Sequence, residues 1–242
     1  MSAIEIRGLT KKYKDVTAVD SLDLTVEQGE LLSLLGVNGA GKTTTIKMLC
    51  GLIQPTAGDA YLMGKSIISD SAAVKEMIGV SPQQTAVAPN LTVKENLELM
   101  CGVHGMGRAE TAARVFELGE LLSLSGLMNK KAGKLSGGWQ RRLSIAMALI
   151  SRPRILFLDE PTLGLDVIAR SELWDVIRAI KGKTTVILTT HYMEEAEALS
   201  DRIAIMKDGR LLMTGTAADI KAATGKERFE DAFIAVVKGE ME

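Results

Sequence analysis

The chain has 242 residues, of which 46% are hydrophobic, so it is long enough to bury a substantial core. Its 29 basic residues nearly balance 30 acidic ones, and the net charge of −1 excludes a strong overall attraction to nucleic acid or an anionic membrane. Cys50 and Cys101 lie singly in apolar surroundings, which predicts buried reduced thiols and a cytosolic chain. The N-terminus lacks the layout of a signal peptide, and no apolar run reaches the roughly 20 residues that a membrane span needs.

Two kinds of strand are predicted along the chain. Residues 21–26 alternate polar and apolar side chains, which is typical of a half-buried antiparallel strand. The runs 31–35, 155–158 and 185–188 are nearly continuously apolar, which predicts central strands covered on both faces. Because helix-like segments separate these runs, the pattern indicates an α/β core with a parallel sheet built by crossover connections.

The spacing of apolar residues becomes helical from about 91 to 151, with Gly-rich breaks at 102–107 and 133–138. We interpret this stretch as a helical subdomain inserted into the core of one domain that spans residues 1–242. A helical tail is expected over about 216–242.

Several side chains are assigned by the same patterns. In the tail, Phe229 and Phe233 share one helical face with Val236 or Val237, which predicts a helix packed on the core. Trp174 is also assigned to the core. The pairs Arg141-Arg142 and Lys130-Lys131 are interpreted as solvated faces rather than a nucleic-acid patch.

The segment from Gly36 to Thr43 follows the apolar run 31–35 and matches the phosphate-loop pattern G-x-x-x-x-G-K-[ST]. Its glycines allow backbone N–H groups to point inward, and a helix starting near Thr43 adds the positive end of its dipole. A turn that merely caps a helix is the alternative, but strand, spacing and Lys-Thr together favour nucleotide binding. Lys42 is expected to reach the β- and γ-phosphates, Thr43 to bind Mg²⁺ and Thr44 to bond the α-phosphate. The predicted ATP contacts in this loop are Gly36, Asn38, Gly39, Ala40, Gly41, Lys42, Thr43 and Thr44.

Polar residues also follow two other apolar strands. Asp159 and Glu160 come after the run 155–158, which suits Asp159 for the Mg²⁺ shell and Glu160 for the attacking water. Taken alone, two such acids are more often a solvated turn. His191 follows the strand predicted for 184–190, where an imidazole can bond the γ-phosphate or, alternatively, only cap the next helix.

The segment Leu135-Ser136-Gly137-Gly138-Trp139-Gln140-Arg141-Arg142 resembles the signature motif of ABC ATPases, and the resemblance covers the whole chain. Tyr13 resembles the aromatic residue that stacks on adenine, although it could otherwise be a surface strand residue. Gln83 resembles the Q-loop glutamine, which the resemblance places at ATP and Mg²⁺. Gly164-Leu165-Asp166 resembles the D-loop, and His191 resembles the switch histidine.

The resemblance implies a P-loop NTPase core with a mainly parallel sheet, an N-terminal antiparallel β-subdomain and an inserted helical subdomain. It implies ATP hydrolysis with Glu160, His191 and Lys42 as catalytic residues, and Mg²⁺ held by Thr43, Gln83 and Asp159. Two cassettes, either identical or homologous, would pair head to tail around ATP. The residues expected to contact ATP across that pair are Leu135, Ser136, Gly137, Gly138, Gln140 and Asp166.

The implied partner is a separate transmembrane permease, docking at about 83–92, so that the chain would lie on the cytoplasmic face of the membrane. The closest resemblance is to single-cassette subunits of bacterial exporters. Two departures from the family pattern are Trp139, where glutamine is commoner, and Val37, where proline is frequent.

Other functions of ABC-type ATPases are compared with further features of the sequence. A ribosome-associated ABC protein usually has two cassettes, and a chromosome-maintenance ATPase has long heptads; this chain shows neither. A nucleotide sensor without activity is disfavoured by Asp159, Glu160 and His191. A cytosolic ATPase of iron–sulfur-assembly type has a similar length and stays open as the alternative.

Overall fold

The computed structural model describes residues 2–240, which form two compact units. The first combines residues 2–76 with 181–240, and the second comprises 77–180. Both contain strands and helices, and the predicted α/β fold class is confirmed. The interpretation of 1–242 as one domain with an inserted subdomain stays a prediction, and positions 241–242 of the predicted tail lie outside the described residues.

An antiparallel sheet forms the N-terminal part of the first unit. Its strands are β1 (Ser2–Tyr13), β2 (Val16–Glu27), β4 (Ala57–Leu62) and β5 (Lys65–Ser66), in the order β2-β1-β4-β5. In β2, Leu22, Leu24 and Val26 are buried while the residues between them are exposed. The alternation predicted one face buried in an antiparallel strand, and the structure agrees.

A second sheet of the first unit is mostly parallel. Strand β3 (Leu31–Leu35) lies between β8 (Thr185–Thr190) and β9 (Arg202–Lys207) and runs parallel to both, while β10 (Arg210–Gly215) pairs antiparallel with β9. Every residue of β3 and β8 is buried, as their continuous apolar character predicts. The helices of this unit are α1 (Lys42–Leu49), α2 (Ser71–Met77, whose last residue belongs to the second unit), α7 (Met193–Leu199), α8 (Ala217–Thr224) and α9 (Phe229–Lys238).

Helix α9 packs on the core through the predicted face. Phe229, Phe233 and Val236 are buried in one cluster with Ile203 and Ile205 of β9. The neighbouring Ile234 points outward and is 40% exposed. The apolar face of the tail therefore contributes to the core of the first unit.

The second unit contains two parallel strands and four long helices. Strands β6 (Ile78–Ser81) and β7 (Ile155–Asp159) pair with each other. The helices are α3 (Val93–Val103), α4 (Arg108–Leu121), α5 (Gly137–Leu149) and α6 (Val167–Ile180), with short 3₁₀ turns at 125–127 and 132–134. Among the helices of residues 2–240, none combines the length and apolar character required to traverse a bilayer.

Two sequence-based expectations for this unit need correction. The second Gly-rich break was expected over 133–138, but Gly137 and Gly138 already belong to α5, and the connection from α4 starts at 122. Arg141 and Arg142 were expected on a solvated face and are buried, because their guanidinium groups find carbonyl and carboxylate partners inside the unit. Lys130-Lys131 are exposed as expected, and Trp174 is half-buried.

The packing of α9 predicts that Phe233→Ala lowers the free energy of unfolding of the first unit by about 3 kcal/mol, because a large side chain leaves a cavity in a buried cluster. Ile234→Ala is the matched control and is expected to cost less than about 1 kcal/mol, since Ile234 is 40% exposed and lies outside the buried cluster. Urea denaturation followed by circular dichroism measures both. Equal losses would contradict this description of the tail.

Candidate functional site

A tight loop connects strand β3 to helix α1. Gly39 and Gly41 have φ angles of 83° and 101°, and Gly41 is the N-cap of α1. A Cβ on Gly36 would collide with the carbonyl oxygen of Met206, and a Cβ on Gly41 would lie 2.5 Å from the carbonyl oxygen of Ala18. The loop therefore needs glycine at both ends, once for close approach and once for a left-handed backbone.

Lys42 is buried and folds back over this loop. Its Nζ donates to the carbonyl oxygens of Gly36 at 2.7 Å and Val37 at 3.2 Å. The first turn of α1 contains no acidic residue, so no carboxylate of that turn compensates the positive end of the helix dipole. The ammonium group and the helix start together form a site suited to an anion such as phosphate.

His191 lies on the same sheet edge as the loop. The register pairs Leu35 of β3 with Thr190 of β8, so Gly36 and His191 each follow the last residue of neighbouring parallel strands. His191 is half-buried, and its ring contacts that of Tyr192 at a centroid distance of 4.1 Å. This is the edge at which open α/β sheets bind ligands.

Tyr13 lies at the end of β1 and is 46% exposed, with the Lys11 Nζ 5.1 Å from its ring centroid. The following strand β2 passes the phosphate-type loop at Ala18. An exposed aromatic face on this hairpin is consistent with stacking on a flat base.

In the second unit, Gln83, Asp159 and Glu160 come together at the carboxyl ends of two strands. Ser81 of β6 pairs with Leu158 of β7, so the residues that follow lie at one edge. Gln83 Nε2 donates to Glu160 Oε2 at 3.4 Å. Asp159 and Glu160 are both buried, which removes the interpretation of the pair as a solvated turn.

Glu160 has a strained backbone as well as a buried carboxylate. Its φ angle of 46° is uncommon for a residue with a side chain. Such strain is typical of functional sites, where the surrounding structure holds a residue in a required orientation.

Helix α5 begins with the segment 135–138. Ser136 is the N-cap, and within residues 2–240 its hydroxyl makes no capping hydrogen bond. Ser136 and Gly137 are exposed, and the first turn has no acidic residue. This helix start is therefore a second open site for an anion.

The other predicted residues of this segment contact their own chain. Gln140 Nε2 donates to the carbonyl oxygens of Ala132 and Leu135 at 3.2 Å each, so its amide braces the turn before α5. Leu135 is buried. Asp166 Oδ1 accepts from the Ala169 amide at 2.9 Å and caps α6. The predicted contacts of these three side chains with nucleotide stay predictions.

Trp139 and Arg142 form a stacked pair in the first turns of α5. The Arg142 guanidinium lies 4.6 Å from the Trp139 ring centroid and donates to Glu172 Oε2 at 2.8 Å. The ring that replaces the commoner glutamine thus contributes a cation–π contact.

Sequence reasoning missed Arg141. Its guanidinium donates to the carbonyl oxygens of Pro82 and Gln83, at 2.6 Å each. Burial lowers the pKa of Arg141 and the nearby Asp159 carboxylate raises it, and the burial effect is the larger. The sequence did contain a signal that Arg141 faces the interior. Arg141, Ser144 and Ala148 are three and four residues apart and therefore share one face of α5.

A protein-family model described as ABC transporter matches residues 19–163. The chain belongs to the ABC transporter family. It is 43% identical over 230 residues to the daunorubicin resistance ATP-binding protein DrrA3 of Streptomyces coeruleorubidus, covering 95% of this chain and 73% of that protein. It is 42% identical over 217 residues to the Nod factor export ATP-binding protein I of Burkholderia orbicola (strain AU 1054), covering 89% of this chain and 71% of that protein. A dimeric structure of MJ0796, a bacterial ABC transporter cassette, matches with a TM-score of 0.79 at 29% identity, covering 88% of this chain and 98% of the other.

These findings confirm that the chain is an ABC ATPase subunit that binds ATP. The two relatives are named as ATP-binding proteins of daunorubicin resistance and of Nod factor export, and they give no support to the iron–sulfur-assembly alternative. The roles assigned to individual residues stay predictions.

For the loop of this ABC protein, we expect Gly36→Ala to weaken ATP binding by about tenfold or more, equivalent to about 1.4 kcal/mol. The added methyl group would displace the loop away from the Met206 carbonyl oxygen. Titration with a fluorescent ATP analogue measures the affinity. Val37→Ala is the control, because Val37 is 49% exposed, and it should bind ATP as the unaltered chain does.

Proposed function

We propose that this chain hydrolyses MgATP as one half of a head-to-tail pair of cassettes and thereby drives export through a separate transmembrane subunit. The observation that carries the proposal is that two helices, α1 and α5, start with open anion sites on one chain. A nucleotide bound at the loop before α1 uses the first of these two sites. A second copy of the chain provides the Ser136 turn for that nucleotide.

Lys42 binds the β- and γ-phosphates in this proposal. In the structure two of its donor directions are taken by the carbonyl oxygens of Gly36 and Val37, which hold the ammonium over the loop. A phosphate oxygen bound at this ammonium gains a charge-assisted hydrogen bond. Thr44 in the first turn of α1 is half-buried and bonds the α-phosphate.

The donors expected for Mg²⁺ fit that ion. Thr43, Gln83 and Asp159 offer hydroxyl, amide and carboxylate oxygens, the hard ligands that Mg²⁺ prefers. Within residues 2–240 no group of three or more His, Cys, Asp or Glu side chains could hold a metal alone. This suits a cation that is held by one carboxylate together with nucleotide phosphates. When bound, Mg²⁺ neutralises charge on the β- and γ-phosphates.

Glu160 accepts a proton from the attacking water and orients it toward the γ-phosphate. Its burial and its 3.4 Å contact with the Gln83 amide limit the orientations of the carboxylate. His191 donates a hydrogen bond to the γ-phosphate and stabilises charge there with Lys42. Hydrolysis removes this bridge between the two cassettes, so the pair reopens.

The face that meets the second cassette contains exposed apolar residues. Val167 and Ile168 open helix α6 directly after Asp166 and are 78% and 73% exposed. Two large apolar side chains in solvent at the tip of the predicted D-loop suit an interface that forms only when ATP is bound. The dimeric neighbour structure supports pairing of such cassettes.

The transmembrane subunit is proposed to dock beside the segment 83–92. A cavity of about 210 Å³ in the second unit has Pro82, Ala86, Met100, His104 and Met147 in its wall. Val103, which lies on helix α3 together with Met100, is 70% exposed. We propose that side chains of a short partner helix enter this cavity, which we call the docking groove, and this would place the chain on the cytoplasmic face of the membrane. The export relatives support the direction of transport.

We expect Glu160→Gln to lower kcat of ATP hydrolysis by about 100-fold or more, because the amide cannot accept the proton of the attacking water. The affinity for ATP should stay within about twofold, since Lys42 and the α1 start remain, and a twofold change is only about 0.4 kcal/mol. Phosphate release and nucleotide titration measure the two quantities. Sedimentation with MgATP should show a dimer that persists in this variant and decays in the unaltered chain. Turnover at the unaltered rate would remove Glu160 from this role.

The docking groove is tested with Met100→Glu, which places a charge in the wall of the groove. We expect the amount of chain that sediments with membranes of the native cell to fall by about fivefold or more, or about 1 kcal/mol. Phe116→Glu is the matched control, because Phe116 is 71% exposed on α4 and lines a different cavity. Equal retention of both variants on the membrane would place the partner elsewhere.

A further inference from the structure

We propose that Arg141 is a positioning residue. It fixes the backbone of Gln83 relative to helix α5, and through the Gln83 side chain it also fixes the position of the Glu160 carboxylate. The inference rests on the proposed function and adds to it a residue that binds neither nucleotide nor metal. Its role is to join the helix that carries Ser136 to the segment that carries Gln83.

The geometry of the guanidinium carries the first step. Nη1 donates to the Pro82 carbonyl oxygen and Nη2 to the Gln83 carbonyl oxygen, at 2.6 Å each. A planar fork that holds two consecutive carbonyl oxygens fixes both the position and the orientation of the peptide between them. Lysine offers a compact point charge without the planar fork, so it fixes the orientation of that peptide less well.

Helix α5 is already packed closely on strand β6 next to this fork. The hydroxyl groups of Ser144 and Ser81 are 2.9 Å apart and buried. A Cβ on Gly79 would collide with the carbonyl oxygen of Ala148. The contacts at 141, 144 and 148 therefore follow the strand from its end back to Gly79, so the helix and the strand are closely packed along this length.

The segment after Pro82 has less support of its own. Gln83 is exposed, although its backbone carbonyl is held by the buried Arg141. The side chain of Gln83 then reaches Glu160 Oε2 at 3.4 Å. A displacement of α5 at its Ser136 end is thus carried by Arg141 to the backbone of Gln83 and from there to the carboxylate that orients the water.

A buried cation is costly, and simple packing does not explain it. Arg141 is 5% exposed, and burial holds its pKa below the ordinary value for arginine, with Asp159 opposing that shift. An apolar side chain of similar length would fill the space without that cost. The feature that an apolar side chain cannot provide is the pair of hydrogen bonds to the carbonyl oxygens of residues 82 and 83.

The experiment compares Arg141→Met and Arg141→Lys with the unaltered chain. Met removes both donors and keeps an apolar stem. We expect kcat to fall by about 100-fold for Met, as for a catalytic group displaced by 1 Å, and by about tenfold for Lys. The affinity for ATP should stay within about twofold in both. Arg178→Met, on the exposed side of α6, is the matched control and should leave kcat unchanged.

Hydrogen exchange of the ATP-free chain provides the readout that is independent of activity. Amides of residues 83–88, which include the Ala88 amide that donates to Asn96 Oδ1 at 2.8 Å, should exchange faster in Arg141→Met, with intermediate rates in Arg141→Lys, while protection along α5 and β7 is retained. Loss of protection throughout residues 77–180 would mean that Arg141 only stabilises the unit and would overturn the inference. If Arg141→Met does not fold, a Lys variant with unaltered kcat and exchange would overturn it as well.

Failure of the inference differs from failure of the proposed function. If the unaltered chain hydrolyses ATP and Glu160→Gln abolishes it, while Arg141→Met retains full turnover, only the positioning role is wrong. If the unaltered chain shows no hydrolysis, the proposed function is wrong, and unchanged exchange at 83–88 in Arg141→Met would then reject the positioning role separately.

Discussion

The positive ends of two helices are the constraint on which the site depends. Most of the described α-helices have an acidic residue in their first turn. Glu95 forms a capping box with Thr92 at α3, and Asp219 does so with Thr216 at α8. The starts of α1 and α5 have glycines and hydroxyl residues instead, with no acidic residue in the first turn. Such a start gains stability when an external anion binds, which couples phosphate to both helices.

At the carboxyl edge of β6 and β7, backbone geometry and hydrogen bonds together restrict the orientation of the polar side chains. Glu160 stands at a φ angle of 46°, and its carboxylate meets Gln83, whose carbonyl is in turn bound by Arg141. Each of these contacts lowers the number of orientations available to the acid. Preorganised groups of this kind need little rearrangement when charge develops on a phosphate, which is the main source of rate enhancement in phosphoryl transfer.

Strands and motifs were predictable wherever local pattern and tertiary role coincide. The runs at 31–35, 155–158 and 185–188 are strands because a continuous apolar segment has to be covered on both faces. The face of α9 with Phe229 and Phe233 was predictable for the analogous reason with helical spacing. The sequence predicted that α5 begins after Gly138, whereas the helix begins at Gly137. Glycine is a poor helix former, and only the three-dimensional context shows that Gly137-Gly138 form the first turn.

The sequence by itself determined the fold class, the loop that follows β3, and the acidic pair at the end of β7, since these follow from strand burial, glycine spacing and residue chemistry along a short segment. Only the tertiary structure decided that Arg141 and Arg142 are buried, that Gln140 braces its own turn, and that Gln83 meets Glu160. The reason is physical: a charged or amide side chain is compatible with solvent or with the interior, and the choice depends on carbonyl and carboxylate groups that lie far away in sequence.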